Sequence, residues 1–326
     1  MRIVRSNFHN PYFNLAMEEY VFNKFDGEVF MLWRNDQAII VGKNQNTIEE
    51  INVDYVETNS IPVVRRMSGG GAVFHDLGNL NFTFISDDDG NSFSNFKRFT
   101  QPVVDLLQRL DVDAECSGRN DLTIDGKKFS GNAQFKSKKR VLHHGTLLFS
   151  SDIADISASL KPKASKFEGK SVKSVKSRVT NISAHLKQTM TIEEFMDALE
   201  AFMIEQADGF EKYELDAADI AAIDKMVAEK YSTWEWNYGK SPNYAFSREK
   251  RFEAGSVQVN LDVKNGIIHQ AKFYGDFFGV MDVSEIENKL VEVKHEREAL
   301  DAVLSQIEIS NYFLNIDKDS ILDLML

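Results

Sequence analysis

The sequence is poor in cysteine, in proline and in long apolar runs. Its 326 residues include one cysteine, Cys116, and five prolines. A single cysteine excludes an intramolecular disulfide and a cysteine-rich zinc site. No apolar run approaches the ~20 residues that span a bilayer, and the first residues lack the apolar core of a secretion signal. We therefore predict a cytoplasmic protein that does not enter a membrane.

An excess of positive charge is also absent. The formal net charge is −12 at pH 7, which disfavours proteins that bind nucleic acids through the phosphates. The exception is the stretch from Lys161 to Arg178, which carries seven basic residues and the single acidic residue Glu168. Such a stretch is a solvated loop, a flap over phosphates, or a docking segment for an acidic partner.

The chain length and the order of the predicted helices and strands limit the possible folds. A chain of 326 residues with 43% hydrophobic content favours two domains. Helices and strands are interspersed, and most strands are predicted to be joined by hairpins, as at Asp125-Gly126. The predicted class is α+β, with a mixed or antiparallel sheet and not a doubly wound parallel sheet. The turn-rich stretch from Tyr238 to Asn243 predicts a boundary between a domain of residues 1–240 and a small α+β domain of residues 241–326.

Three consecutive glycines, Gly69 to Gly71, form the most informative motif. They follow Arg65-Arg66-Met67-Ser68 and precede Ala72-Val73-Phe74-His75-Asp76. Strands are predicted on both sides, so the motif is predicted to be a hairpin in which backbone without a Cβ atom approaches a ligand closely. The two arginines supply permanent positive charge. The motif suits a carboxylate on an apolar body, such as an acid that is converted to an acyl phosphate.

A pair of lysines forms the second motif. Lys127 and Lys128 alternate along a predicted strand, so only one of them faces inward. Phe129-Ser130-Gly131 follow Lys128, and the small residues permit close approach of a ligand. A lysine here can hold a carboxylate against an α-phosphate and neutralise developing charge. The alternative is an exposed hairpin lysine.

Metal and cysteine chemistry leave few traces in the sequence. His143 and His144 point to opposite faces of a strand and are a poor pair of metal ligands, so a core or hydrogen-bonding role is expected. A magnesium ion would be held mainly by substrate phosphates and one or two polar side chains, for which Asn120 and Asp121 are candidates. Cys116 is predicted to be a buried small residue in a strand.

Together these motifs resemble the lipoate–protein ligase A family. The resemblance covers roughly residues 1–240 and continues more loosely beyond them. It implies that Lys128 is the family's essential lysine. It implies a lipoate-binding loop at Arg65, Arg66, Ser68, Gly69, Gly70, Gly71, His75 and Asp76. Contacts with the adenylate are implied for Asn120, Asp121, Ser177, Arg178, Thr180 and Asn181, and Lys43 and Asn44 resemble part of a further loop near the site. Val73 and Phe74 alternate, so one of them is expected to line a tunnel for the apolar tail.

The resemblance also implies a fold and a reaction. The fold would be that of biotin and lipoate ligases, with a C-terminal accessory domain. The reaction would use ATP and Mg²⁺ to convert lipoate to lipoyl-AMP and then transfer the lipoyl group to a lysine of an acceptor protein. Acceptors would be lipoyl domains of oxo-acid dehydrogenase E2 subunits or the glycine-cleavage H protein, with no nucleic acid or membrane partner.

Three alternatives remain open at this point. An octanoyl or lipoyl transferase would require a reactive cysteine, for which only Cys116 is available. A biotin ligase shares the architecture but has a different order of residues in its glycine loop. A non-catalytic protein that binds lipoyl carriers would have no use for Lys128 and the arginines. The preference for lipoate or octanoate is also open.

Overall fold

A computed structural model describes residues 1–45, 47–118, 120–137, 139–160, 178–238, 246–264, 266–295 and 297–326, without the side chains of residues 48, 49, 53 and 54. The predicted domain boundary and nearly all of the basic stretch therefore lie outside the described residues. The strands are β1 (Arg2–Arg5), β2 (Val29–Trp33), β3 (Ala38–Val41), β4 (Val63–Arg65), β5 (Val73–His75), β6 (Asn79–Asp87), β7 (Ala114–Ser117), β8 (Asp121–Ile124), β9 (Lys127–Ser137), β10 (Arg140–Leu148), β11 (Glu211–Tyr213), β12 (Phe246–Phe252), β13 (Gly255–Lys264) and β14 (Ile267–Gly275).

Helices are interspersed with these strands. They are α1 (Pro11–Lys24), α2 (Thr47–Glu50), α3 (Val53–Thr58), α4 (Phe96–Arg109), α5 (Ile153–Ser159), α6 (Ile192–Gln206), α7 (Ala217–Met226), α8 (Trp234–Asn237), α9 (Ser284–Leu290), α10 (Arg297–Leu304) and α11 (Lys318–Leu324). Across the described ranges, no helix is both long enough and apolar enough to cross a membrane.

The strands form three sheets. The largest has the order β11-β1-β2-β6-β10-β9-β8-β7, in which β1 is parallel to β11 and β2 and the other pairs are antiparallel. A second sheet has the order β4-β3-β5, and β12, β13 and β14 form an antiparallel sheet. The predicted α+β class with a mixed sheet is confirmed.

Local sequence explains where several helices begin. Asn10 accepts hydrogen bonds from the N–H groups of Tyr12 and Phe13, and Pro11 occupies the first helical position of α1, where its missing N–H has no cost. Helix α6 begins after Thr191, which exchanges capping hydrogen bonds with Glu194, the pattern of a capping box.

The glycine motif is not the predicted hairpin. Strand β4 pairs with β3 in parallel and β5 pairs with β3 antiparallel, so β4 and β5 flank β3 and do not pair with each other. The glycine loop therefore crosses one end of β3. The prediction was wrong because β5 has only three residues, too few to show a period-2 pattern.

Separate cores lie around the sheets. Helices α4 and α6 cover one face of the large sheet with a cluster that includes Phe82, Leu107 and Phe195. Helix α1 covers the other face with a cluster that includes Met17 and Trp33. Residues from Ala254 onward form a cluster of their own, so the C-terminal antiparallel-sheet domain has an independent core.

Candidate active site

A cavity of about 430 Å³ lies between the large sheet and the glycine loop. Its floor is lined by residues of four adjacent strands, among them Lys128 (β9), Thr146 (β10), Asn81 (β6) and Trp33 (β2). Three steps between neighbouring strands span about 14 Å. The cavity thus suits an extended chain lying across the strands.

Lys128 lies at the open end of this cavity, and its side chain is 41% exposed. Its Nζ is 2.7 Å from Oδ1 of Asp121, which also lines the cavity. A Cβ atom on Gly131 would lie 3.0 Å from this Nζ and 3.1 Å from Cε, so the lysine side chain extends across Gly131. Lys127 is exposed and does not line the cavity, as the alternation of side chains requires.

The backbone of Lys128 is held by a short strap. Its N–H donates to the carbonyl of Arg178 at 2.8 Å, and its carbonyl accepts from the N–H of Thr180 at 2.9 Å. Arg178 also lines the cavity. Thr180 instead pairs with His185 at 2.8 Å, and Asn181 exchanges two hydrogen bonds with the backbone of Ser151. Thr180 and Asn181 do not line the cavity.

Arg66 shapes the glycine loop from inside. Its guanidinium donates to Ser68 Oγ, to the carbonyl of Ile40, and to the carbonyls of Gly69 and Gly71 at 2.7 and 2.8 Å. Burial lowers the pKa of Arg66 to about 10, with a smaller contribution from neighbouring charges. The group is therefore still charged at neutral pH.

Glycine is required at two points around this loop. Gly70 has a φ of +89°, and a Cβ atom on Gly42 would lie 2.1 Å from the Gly70 carbonyl oxygen. Within the described part of the chain, the N–H groups of Gly69 to Gly71 have no hydrogen-bond partner. Gly70 and Gly71 line the cavity, so their N–H groups are candidate donors to an anion.

Arg65 has a different role from its neighbour and does not line the cavity. It donates to the carbonyls of Gly42, Lys43 and Gln45 and to Thr47 Oγ1. Further bonds reach the carbonyls of Trp236 and Asn237. Arg65 therefore ties the glycine loop to α2 and α8.

A buried relay connects the cavity floor with the glycine loop. Ser68 Oγ is 2.6 Å from His144 Nε2, and His144 Nδ1 is 2.9 Å from Oε1 of Glu18. Thr83 donates to the same carboxylate at 2.7 Å, and Trp33 Nε1 donates to Thr83 at 3.2 Å. The relay fixes the orientation of His144, which lines the cavity.

His143 points to the opposite face, as predicted. It stacks on Phe99 and contacts Phe82 and Phe96, and burial holds its pKa well below the usual histidine value. Where the structure describes the chain, no three His, Cys, Asp or Glu side chains are grouped as metal ligands.

The other predicted residues divide between the cavity and its supports. Val73 and His75 line the cavity, whereas Phe74 packs in a core with Ile39 and Val41. Asp76 does not line it and accepts from the N–H groups of Gly78 and Asp152. Asn120 lines it and is bonded to Asn132. Ser177 lies outside the described residues.

Lys43 and Asn44 contact the C-terminal domain and do not line the cavity. Lys43 Nζ is 2.9 Å from Oδ2 of Asp282, and the Asn44 carbonyl accepts from the N–H of Gly275 at 2.5 Å.

Two residues of the C-terminal domain reach the cavity. Arg251 and Asp276 line its open end and pair with each other at 3.0 Å. Nearby, a Cβ atom on Gly69 would lie 2.4 Å from the Phe277 carbonyl oxygen. Phe278 packs against Phe96. The C-terminal domain is thus part of the cavity entrance, which the sequence did not predict because nothing distinguishes Arg251 from other exposed strand residues.

Sequence reasoning also missed much of the cavity wall. The missed lining residues of the first domain are Leu15, Trp33, Ile40, Asn81, Asn132, Ala133, Gly145 and Thr146. One signal was available for Asn81, because Asn79, Asn81 and Thr83 alternate with apolar residues in a strand that is buried over most of its length. Polar residues on one face of such a strand indicate a polar cavity or a buried network.

The prediction for Cys116 was wrong. Its side chain is exposed on strand β7, which is the edge strand of the large sheet and has Ala114 as its one buried residue. Cys116 does not line the cavity.

Sequence comparison relates this chain to known proteins. Residues 10–204 match the model of the lipoyl protein ligase A/B catalytic domain, and residues 241–325 match that of the bacterial lipoate protein ligase C-terminus. Lipoate-protein ligase LplJ of Bacillus subtilis is 50% identical, with 99% of each chain covered. The chain belongs to the lipoate–protein ligase family. Another relative in this ligase family, lipoate–protein ligase 1 of Staphylococcus aureus, is 47% identical with the same coverage.

Solved structures of the family have the same architecture. LipL1 of P. falciparum, solved in complex with lipoate, superposes with a TM-score of 0.80 at 26% identity and covers 99% of this chain and 98% of its own. A lipoate-protein ligase A bound with ATP gives a TM-score of 0.64 at 29% identity, over 73% of this chain and 98% of its own.

Proposed function

We propose that this chain is an ATP-dependent lipoate–protein ligase that makes lipoyl-AMP and transfers the lipoyl group to a lysine of an acceptor protein. The observation that carries the proposal is the cavity, which joins a lysine and a loop of amide donors at its open end to an apolar interior. Membership of the ligase family, and relatives solved with lipoate and with ATP, support the same reaction.

In the first step, a carboxylate oxygen of lipoate attacks the α-phosphorus of ATP, and the bond to pyrophosphate breaks. Lys128 would bridge the carboxylate and the α-phosphate, where its ammonium neutralises charge that develops on the phosphate oxygens. Its present partner Asp121 would exchange for the substrate. The N–H groups of Gly69 to Gly71 would donate to the adenylate, while Arg66 keeps the loop in shape.

In the second step, a neutral lysine amine of the acceptor attacks the lipoyl carbonyl carbon, the bond to AMP breaks, and the amine loses a proton to solvent as the amide forms. No covalent bond to this chain is required. Catalysis then consists of positioning and charge neutralisation at the cavity mouth. The strap at Arg178 and Thr180 would keep Lys128 in place through both steps.

The cavity mouth offers one carboxylate that could hold a magnesium ion. Asp121 offers one carboxylate at the mouth beside Asn120, and Mg²⁺ in nucleotide sites is commonly held by one or two carboxylates and the substrate phosphates. When bound, the ion would neutralise phosphate charge. Asp121 remains the candidate ligand.

The acceptor is proposed as a lipoyl domain of an oxo-acid dehydrogenase E2 subunit or the glycine-cleavage H protein. A bipartite lipoate protein ligase from Thermoplasma acidophilum, described together with its E2 lipoyl domain, is 31% identical with a TM-score of 0.65 over 75% of this chain. We propose residues 1–240 as the catalytic domain and residues 241–326 as the accessory domain.

The transferase alternative is disfavoured by the position of Cys116. That reaction would need its thiol near the acyl carbonyl, whereas Cys116 does not line the cavity. Activity of a Cys116→Ser variant at the wild-type level would exclude a cysteine thioester.

The deciding experiment is incubation of the protein with lipoate, Mg-ATP and an apo lipoyl domain, followed by mass spectrometry of the domain. A mass increase of one lipoyl group is expected, together with lipoate-dependent release of pyrophosphate when the acceptor is omitted. Pyrophosphate release without transfer would contradict the second step. Absence of both the mass increase and pyrophosphate release would indicate a non-catalytic binding protein.

A further inference from the structure

The inner end of the cavity combines an apolar wall with two polar side chains. Leu15, Trp33 and Ile40 line this end and belong to, or pack within, the core under helix α1. Among them lie His75 and Asn81, which are 3% and 2% exposed. An apolar acyl tail alone would have no use for polar groups at this depth.

The protonation of His75 is fixed by a chain of hydrogen bonds. Asn14 Nδ2 donates to the backbone carbonyls of Phe8 and Arg34 at 2.8 and 2.9 Å, which sets the orientation of this amide. The same Nδ2 donates to Asn35 Oδ1 at 2.9 Å, so Asn35 presents its Nδ2 to His75 Nδ1 at 3.1 Å. His75 Nδ1 is therefore an acceptor, and the ring proton is on Nε2.

The charge state agrees with this assignment. Burial, together with the charge of Arg66 and the neighbouring His144, lowers the pKa of His75 to about 3. The ring is neutral at physiological pH, with one N–H donor. Within the described ranges, Nε2 has no hydrogen-bond partner.

Asn81 presents a second unpaired amide group. Its Oδ1 accepts from Asn79 Nδ2 at 3.0 Å, whereas its Nδ2 is buried and has no partner in the part of the chain that the structure describes. Buried polar atoms in native proteins are nearly always paired, and an exception in a binding cavity points to a ligand atom that completes the pair.

The position of these donors defines which part of the substrate they meet. In the proposed reaction the carboxylate lies at Lys128, at the open end, so the far end of the acid lies at His75 and Asn81. The missing group is therefore an acceptor carried on the tail. Lipoate has two ring sulfur atoms there, and thioether-type sulfur is a weak acceptor. Octanoate ends in a methyl group.

We propose that His75 Nε2–H and Asn81 Nδ2–H donate to the dithiolane sulfur atoms and make this chain selective for lipoate over octanoate. The proposal rests on the proposed function and names specificity-determining residues for it. A neutral net hydrogen bond corresponds to a factor of up to roughly ten in binding, so the two donors together supply a preference of up to about a hundredfold.

The first test changes the substrate and leaves the protein intact. The probes are lipoate, octanoate and 5-cyclopentylpentanoate, whose ring has a similar shape but no sulfur. Initial rates of pyrophosphate release give kcat/KM for each acid. We expect lipoate to exceed 5-cyclopentylpentanoate by at least about fivefold, in line with one net hydrogen bond. Equal values for the three acids would overturn the proposal and leave the ligase function standing.

The second test changes the donors. His75→Phe and Asn81→Leu remove the N–H groups while keeping comparable size, and Ile40→Val is a matched control on the same wall. Each donor variant should lower the ratio of lipoate to octanoate kcat/KM by roughly five- to tenfold, mainly through KM. The control should change both acids by the same factor.

Loss of fold does not imitate this result, because the readout is a ratio of two substrates measured on one folded preparation. If one donor variant fails to fold, the other donor variant and the comparison of the three acids on the wild-type protein still test the proposal. If both donor variants lower kcat/KM for lipoate and for octanoate by the same factor, the proposal is overturned. Absence of pyrophosphate release with every acid would instead overturn the proposed function on which it rests.

Discussion

The inner end and the mouth of the cavity are built on different principles. At the inner end, His75, Asn81 and His144 are buried and are held by fixed hydrogen bonds or by packing. At the mouth, the side chains of Lys128, Asp121 and Arg251 are 41%, 38% and 44% exposed and are paired with other charged groups. The inner end is shaped before the substrate arrives, whereas the mouth has to exchange its ion pairs for substrate charges.

The largest effect should come from the mouth. Lys128→Ala removes the ammonium that neutralises charge in both steps, so single-turnover rates of adenylate formation and of transfer should fall by about 10²–10³ or more. Lys127→Ala is the matched control, because this neighbour is exposed and does not line the cavity. Near-normal rates for Lys128→Ala in both steps would remove the lysine from the mechanism.

An intermediate effect should come from the inner end and concerns stability. The pKa of His75 is about 3 in the folded chain and near 6.5 in an unfolded chain. Between these values the unfolded state binds more protons, so the free energy of unfolding falls as the pH falls from 6.5 towards 3. The loss approaches about 1.4 kcal/mol per pH unit well below pH 6.5.

His75→Gln should remove this contribution. Urea unfolding at a series of pH values from 8 to 5 should give a shallower decline than wild type below pH 6.5. Above pH 7.5 both states carry a neutral histidine, so the two pH dependences should coincide there and provide an internal control. Parallel curves over the whole range would show that folding does not lower the pKa of His75.

The smallest effect should come from the ion pair between the domains. Lys43 and Asp282 are both partly exposed, so Lys43→Ala should lower the free energy of unfolding by less than about 1 kcal/mol. Burial raises the pKa of Asp282, but the Ser284 N–H and Lys43 outweigh it and bring the pKa to about 2. The variant should raise that pKa, as measured by NMR titration of the carboxyl.

Lys225→Ala is a suitable comparison for this variant, because it breaks an exposed pair with Glu229 within one helical segment. It should leave the titration of Asp282 unchanged. An equal shift in both variants would contradict a local contact between the domains.

The sequence was informative wherever local chemistry decides structure. The alternation of Lys127 and Lys128 is local, and the structure confirms it, because Lys128 lines the cavity and Lys127 does not. The path of the glycine loop is different, because it depends on β4 and β5 pairing with β3. A pairing of this kind depends on residues distant in sequence, and β5 is too short to signal it.

The same distinction applies to the site. Arg65 and Arg66 are adjacent and chemically identical, yet only Arg66 lines the cavity, because the carbonyls that surround Arg65 come from α2 and α8 and their neighbouring loops. The exposure of Cys116 and the position of Arg251 at the cavity mouth likewise depend on tertiary packing. The cytoplasmic location, the domain limits and the assignment of individual ligand contacts stay predictions.

The contact between Gly69 and the Phe277 carbonyl has an evolutionary consequence. The backbone of the glycine loop contacts the backbone of the accessory domain. Substitutions at residues 276–278 can therefore reshape the cavity entrance without altering any side chain of the first domain. Selection for bulkier acids therefore has a second route, and libraries randomised only around the acyl tunnel would leave that route unexplored.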